Sequence, residues 1–384
     1  MVMQKGFRSA VWVGLAAFGL AIAAPVAAQS PDFVQVASGH EHSCALDDTG
    51  HVWCWGRNHN GQLGDGTIAN RATPVQVAGL SGVTEIALGN SHSCALRQNG
   101  RVRCWGLNHQ GRLGDGTTQT RWTPVNVVDL RQVTAISVGS AYSCALRENE
   151  RVRCWGANTF GQIGDGSTEH RHTPVNVVSV GRVTDIAAGQ AHICALRDNG
   201  RVQCWGFNSS GQLGDGTATH RETRVPVQGL RQVTGIAMGG NHSCALRENG
   251  RVRCWGGNWS GQLGDATTEH SSTPVNVVTL GRVTAISAGF SHSCALRENG
   301  RVRCWGRNVE GQLGDGTTED RVRPADVAGL GRVVEIALGG NHSCALRENG
   351  RVRCWGSNQF GQLGDGTITN SSTPVLVDVV FPGP

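Results

Sequence analysis

Fourteen cysteines fall in seven pairs at one fixed spacing, Cys44 with Cys54, Cys94 with Cys104, Cys144 with Cys154, Cys194 with Cys204, Cys244 with Cys254, Cys294 with Cys304 and Cys344 with Cys354. Each pair recurs fifty residues after the last, so the chain is one unit written seven times. A period of this length marks an array of supersecondary units, none of which can bury its apolar face alone. Function must then reside where the copies differ.

The N-terminus decides whether those cysteines can be oxidised. Lys5 and Arg8 precede an apolar run from Ala10 to Ala24, and Val26-Ala27-Ala28 supplies the small residues that a signal peptidase accepts. Residues 1–28 therefore read as a secretory signal, the run being shorter than the roughly 20 residues of a membrane-spanning helix. Residues 29–384 are expected to form the mature protein, secreted or periplasmic, with no membrane span.

In an oxidising compartment an even number of regularly spaced cysteines reads as a disulfide framework. Local geometry gives the pairing. In the second copy, Ser93–Arg97 and Arg101–Gly106 alternate like two strands around Gln98-Asn99-Gly100, a three-residue hairpin loop with Gly100 at the left-handed position. That register sets Leu96 opposite Val102 and Cys94 opposite Cys104 at a non-hydrogen-bonded position, where alpha carbons about 4.5 Å apart suit a disulfide. Each bridge should close its own hairpin. Zinc is disfavoured because the pairs lack the close Cys-x-x-Cys spacing of structural sites.

The rest of each copy reads as strand. Val83–Leu88 alternates, Thr73–Val77 is a further extended piece, and no window shows a helical period. Seven units of about four short strands make an all-β fold, a seven-bladed β-propeller closing on itself. Blade closure is open at this level, since a strand from Phe33 or one from Thr373–Val377 could complete a blade shared by both termini.

Several motifs now carry a family resemblance. Gly-x-x-His at Gly89–His92, Ala95-Leu96, Trp-Gly-x-Asn at Trp105–Asn108 and Gly-x-Leu-Gly-Asp-Gly at Gly111–Gly116 together resemble the regulator of chromosome condensation repeat, over nearly all of residues 33–380. The resemblance implies a seven-bladed propeller and, with the leader, a secreted bacterial member. Its members do different jobs: a nuclear nucleotide-exchange factor for the small GTPase Ran, a plant ultraviolet-B photoreceptor and a secreted inhibitor of β-lactamases. Three readings follow, an exported binding module, an exchange-factor-like regulator of a small GTPase, and a purely structural exported module.

Composition favours the first. Without Lys5 and Arg8 the chain holds 32 basic against 29 acidic residues and no lysine, a balance that argues against nucleic acid. No phosphate-cradling loop and no unique nucleophile with a base appear, so neither an enzyme nor a cofactor is expected. A monomer binding an extracytoplasmic protein or an envelope ligand is the expectation.

Repeated polar residues read as structure. His42, His92, His192, His242, His292 and His342, with Tyr142 in the third copy, are expected to hydrogen-bond nearby backbone rather than hold a metal. Asp65 and its six equivalents stand in tight turns. Arg97, Arg101 and Arg103 share a strand face with Trp105 and read as a solvated blade edge stacked on that indole, their charge diluted by Glu148, Glu248, Glu298 and Glu348. Glu150 and Ala266 replace turn glycines, and local distortion is expected there.

Three windows vary between fixed flanks: the pair after Gly39 and its equivalents, the residues after each Trp-Gly, and the segment after each Gly-Asp-Gly. Loops on a rigid array are where recognition resides, and aromatic anchors usually contribute most of its binding energy. Trp122, Phe160, Phe207, Trp259, Phe290 and Phe360 are the candidate ligand-binding residues.

Overall fold

A computed structural model describes residues 32–379; the leader assigned to residues 1–28 lies outside them. The described residues form twenty-eight strands in seven four-stranded antiparallel sheets, each built from four consecutive strands. In the first blade these are Phe33–Ser38, His42–Asp47, Val52–Gly56 and Arg71–Gln76, and in the second Val83–Leu88, His92–Arg97, Val102–Gly106 and Arg121–Asn126. One 3-10 turn at His109–Gly111 is the helical content among the described residues. The seven-bladed propeller is thus the fold, its first strands lining the axis.

The hairpin register follows the spacing. Cys94 pairs with Cys104 and Leu96 with Val102, while Arg97 N donates to Arg101 O at 2.9 Å and Gly100, at φ 67°, donates to Arg97 O. All seven disulfides close within their own hairpins, with alpha carbons 4.0–4.1 Å apart.

Each bridge then serves the next blade. Cys44 and Cys54 lie in a buried cluster with Leu46, Val52 and Leu63 of their own blade and Ile86, Ala95 and Trp105 of the following one. Trp105 is fully buried there, and its Nε1 donates to the backbone oxygen of Gln62 at 2.9 Å. The arginines sharing its face do not stack on it as expected. They reach linker carbonyls of the preceding blade instead, Arg97 Nε to Ser81 O at 3.0 Å and Arg103 to Gly79 O at 3.1 Å.

A second, polar bolt crosses six of the seven junctions. Ser93 Oγ donates to Gln62 O at 2.8 Å and lies 2.9 Å from His42 Nε2. A hydroxyl with one proton, already given to a carbonyl, must accept from the imidazole, so His42 is the neutral Nε2–H tautomer. The partner is therefore a neighbouring serine, not the backbone expected from the sequence. His92, His192, His242, His292 and His342 repeat the contact at 2.8–3.0 Å, the last closing the ring onto Ser43. Burial of these fully enclosed rings depresses their basicity, with His42, His192, His292 and His342 held at about 3 and His242 at about 4.

The seventh junction swaps both partners. Tyr142 replaces histidine, Ile193 replaces serine, and Tyr142 Oη donates to His192 O at 2.6 Å. Each ring, histidine or tyrosine, lies against a glycine of the inner loop: a Cβ on Gly39 would sit 2.4 Å from His42 Cε1.

One further expectation needs revision, and the open question of blade closure is answered. Glu150 holds φ 61° and donates to Arg147 O at 2.8 Å, the geometry glycine adopts in the other hairpins, and Ala266 sits at φ 73° with the same cross-blade bond as Gly66. No distortion appears at either turn, because the ladder on both sides fixes a conformation that costs a non-glycine residue only about 1–2 kcal/mol. Nor do the termini share a blade. Phe33–Ser38 opens the first sheet, Ser371–Leu376 ends the last, and the junction between them repeats the others, with Trp55 Nε1 on Gln362 O at 2.9 Å.

Candidate functional site

Strand order dictates where the variable windows emerge. The loop from first to second strand (39–41) and the long loop from third to fourth (57–70) leave a blade at one end; the cysteine hairpin and the linker to the next blade occupy the other. All three variable windows therefore share one face. The cysteine hairpins and the linkers form the opposite one.

The long loop is tightly built. Asn58, fully buried, accepts from Leu63 N at 2.9 Å and donates to Asp65 Oδ1 and to Thr67 O, both at 3.1 Å. Asp65 in turn accepts from Thr67 N and Oγ1, and from Arg71 at 2.8 Å. Burial alone would raise this carboxyl, but the bonds from Thr67 and Arg71 outweigh it and hold Asp65 below the usual carboxylate range. The aspartate turn read from the sequence is thus the hub of a pre-formed loop. In the fifth and seventh blades Ser271 and Ser371 stand where Arg71 does.

The candidate residues gather in part. Phe160 and Phe207, on loops of adjacent blades, meet with ring centroids 4.7 Å apart, and His220 stacks on Phe207 at 4.8 Å. Phe360 lies under the Arg57 guanidinium at 5.1 Å and beside His59 at 5.8 Å, across the junction of last and first blades. Glu41 anchors Arg57, and its bonds to His40 and Arg57 pull its carboxyl down to about 2. Trp259 is 58% exposed and packs edge-on against His270 at 4.3 Å. Trp122, 50% exposed, sits over Gly61 of the preceding blade, where an added Cβ would meet its Cδ1 at 2.6 Å.

Phe290 stands apart at the axial mouth, edge-on to His40 at 5.9 Å. There Asn90, Ser140 and Gln190 form a polar arc opposite Phe290, which is flanked by Gly240 and Gly340, around a cavity of about 130 Å³. The structure joins Phe160 with Phe207 and spreads the other four candidates over the same face. Sequence reasoning missed Arg57 and Glu41, whose pairing depends on two loops meeting at one end of a blade. It also missed the Tyr142–Ile193 exchange, although both departures from the repeat are visible fifty-one residues apart.

Comparison with known proteins agrees with this architecture. The model of the RCC1-like domain matches residues 169–382, and models of the regulator of chromosome condensation (RCC1) repeat match residues 49–96 and 99–146, and shorter stretches from 33 to 162. A 44-residue stretch is 50% identical to the human probable E3 ubiquitin-protein ligase HERC4, covering 12% of this chain and 4% of that protein. Among solved structures, Prp20p of Saccharomyces cerevisiae, studied for its binding to Gsp1p and histones, superposes with a TM-score of 0.78 at 24% identity, covering 87% of each chain. Human WBSCR16 gives the same score and identity over 86% of this chain and 94% of its own. The ectodomain of the Arabidopsis thaliana receptor kinase ACR4 gives 0.56 at 18% identity, over 91% and 100%. The recurrent blade, its seven copies and these matches together place the chain in the regulator of chromosome condensation repeat family.

Proposed function

We propose that this protein is an exported, non-enzymatic propeller that binds a protein or cell-envelope ligand through the face bearing its variable loops. One observation carries the reading: the three variable windows all emerge on that face, the later two on the long loop pinned by the Asn58–Asp65–Thr67 network and its repeats. Rigid loops reduce the ordering entropy that recognition must overcome. The aromatic groups supply anchors, with Phe160 and Phe207 as a paired patch and Trp259 as a projecting ring. Export is supported by the leader-like N-terminus and by seven bridges of the kind that form and persist in oxidising compartments.

The test is capture from periplasmic extract and culture medium with the full-length oxidised protein as bait. A saturable partner whose binding falls at least about tenfold in F160A/F207A or W259A supports the proposal, that loss being usual for an aromatic anchor. No partner, or one indifferent to these changes, rejects it. Accelerated nucleotide release from a small GTPase would establish the exchange-factor reading in its place.

A further inference from the structure

The near-neutral charge of the chain conceals a division between its two faces. The seven hairpin segments (47–53 and equivalents) and the six linkers (77–82 and equivalents) carry 22 of the 32 arginines that follow Arg8, against nine carboxylates. The remaining ten arginines share the rest of the described fold with twenty carboxylates. Because the two sets alternate along the chain, they cancel in any total while separating in space.

The positive charge is available. The arginine at the position of Arg101 is exposed in all six blades that have it, and so is the arginine of each of the five linkers that carries one. Three linker arginines have acidic neighbours, Arg182 with Glu150 at 3.3 Å, Arg282 with Glu298 at 3.9 Å and Arg332 with Glu348 at 3.6 Å. Exposed pairs of this kind are worth under about 1 kcal/mol and yield readily to a competing anion.

In four successive blades, the third to the sixth, the hairpin and its linker also enclose a slot. In the fifth blade Arg251 and Arg282 flank it over an apolar floor of Val252, Val277 and Leu280, with a volume of about 680 Å³. The third, sixth and fourth blades repeat it at about 610, 480 and 200 Å³, each again with a hairpin arginine and a linker arginine at its rim. These slots of adjacent blades form an arc on one side of the ring, away from the first blade, where Asp47, Asp48 and His51 replace the arginines and their neighbour.

We propose that this arc binds an acidic polysaccharide, its carboxylate or sulfate groups paired by the slot arginines and its sugar rings lying on the Val/Leu floor. The basic end is arginine throughout, the side chain suited to forked, bidentate pairing with such anions. Single-stranded nucleic acid would need aromatic platforms for its bases, and a membrane would favour interfacial aromatics. The exposed tryptophans among the described residues, Trp122 and Trp259, belong to the opposite face. The protein would then join a glycan on one side to a protein ligand on the other.

The experiment titrates the full-length oxidised protein with a heparin dodecasaccharide and a polygalacturonate oligomer, beside a 20-base-pair DNA duplex and phosphatidylglycerol vesicles, at several salt concentrations. At least one saccharide is expected to bind at least about tenfold tighter than DNA or vesicles, more weakly as salt rises. R251Q/R282Q should lower that affinity about three- to tenfold, and adding R151Q/R182Q and R301Q/R332Q should lower it more than about a hundredfold, following the contribution of charge-assisted pairs. R251K/R282K, which keeps the charge, should recover only part of the loss. The two-residue variants carry the test should the six-residue variant fail to fold. Absence of saccharide binding, indifference to these substitutions, or equal affinity for DNA or vesicles would overturn the proposal.

Discussion

The exchange of Tyr142 and Ile193 for the usual histidine and serine makes a prediction about any other junction. At the fifth-to-sixth junction His242 Nε2 lies 2.8 Å from Ser293 Oγ, which donates to Gln262 O at 3.0 Å. Replacing Ser293 by isoleucine alone leaves the His242 N–H buried without an acceptor, which costs about 1–3 kcal/mol. Gln262 O keeps the Trp305 indole at 2.9 Å, so little is added on that side. Replacing His242 by tyrosine alone forces a longer ring against Ser293, and overpacking of a tight site costs about 1–3 kcal/mol. In the double variant the tyrosine hydroxyl can donate to His292 O, as Tyr142 does to His192 O at 2.6 Å, while isoleucine fills the space. The two changes together should cost less than either alone, a coupling of about 2 kcal/mol in a double-mutant cycle. Urea unfolding of the oxidised protein with the four chains H242Y, S293I, H242Y/S293I and wild type measures it. Additive losses would show that the exchange is not a matched solution.

The buried histidines make the toroid acid-labile. Five held at about 3 to 4, and His92 also well below its ordinary value, stay neutral in the fold while the unfolded chain protonates near 6.5, so stability present above that pH is lost as pH falls, by about 2 kcal/mol per histidine at pH 5. Burial raises Glu85 and Glu335 to about 7 and Asp185 to about 6 on the inner strands, so their contribution is full below the ordinary carboxylate range and fades as pH rises through those values; three such groups do not offset six imidazoles, and the melting temperature should drop between pH 7 and pH 5. A rise over that interval would contradict the neutral tautomers. Glu150→Gly should stabilise by up to about 1 kcal/mol, since it relieves a positive φ and loses only an exposed pair with Arg182; a loss in urea would mean that Glu150 does more than occupy the turn. Asn58→Ala should loosen one long loop by about 1–3 kcal/mol by leaving Leu63 N without its acceptor and removing one donor each from Thr67 O and Asp65, seen as faster amide exchange at residues 58–67, and unchanged exchange would refute the hub.

Much of the fold is legible in the chain because the constraints are local. The spacing of Cys94 and Cys104 around a three-residue turn fixes a register, and repetition multiplies it seven times. What one copy does not reveal is which residues of the next it touches. His42 and Ser93 each appear as isolated polar residues until the blades stand side by side, so a single copy points the imidazoles at backbone. Trp105 falls beneath arginines of its own face for the same reason, whereas that face is covered by the preceding blade. The aromatic candidates are visible because they break the repeat, yet the pair among them that the fold brings into ring contact is Phe160 and Phe207. Charge hides in a related way: summing Arg101, Glu148 and Asp65 along the chain mixes residues that the strand order sends to opposite ends.

Non-reducing peptide mapping of the native protein decides whether every hairpin is closed by its own bridge. Trypsin cleaves after Arg97, Arg101 and Arg103 and their equivalents, so Cys94 and Cys104 lie on separate peptides, each made unique by its variable window, while Cys44 and Cys54 remain on one. The account predicts a mature chain beginning near Gln29, with every peptide of the form ending at Arg97 linked to its own partner of the form carrying Cys104 and to no other. Free thiols throughout, bridges between units, or a protein retained with residues 1–28 attached would contradict it.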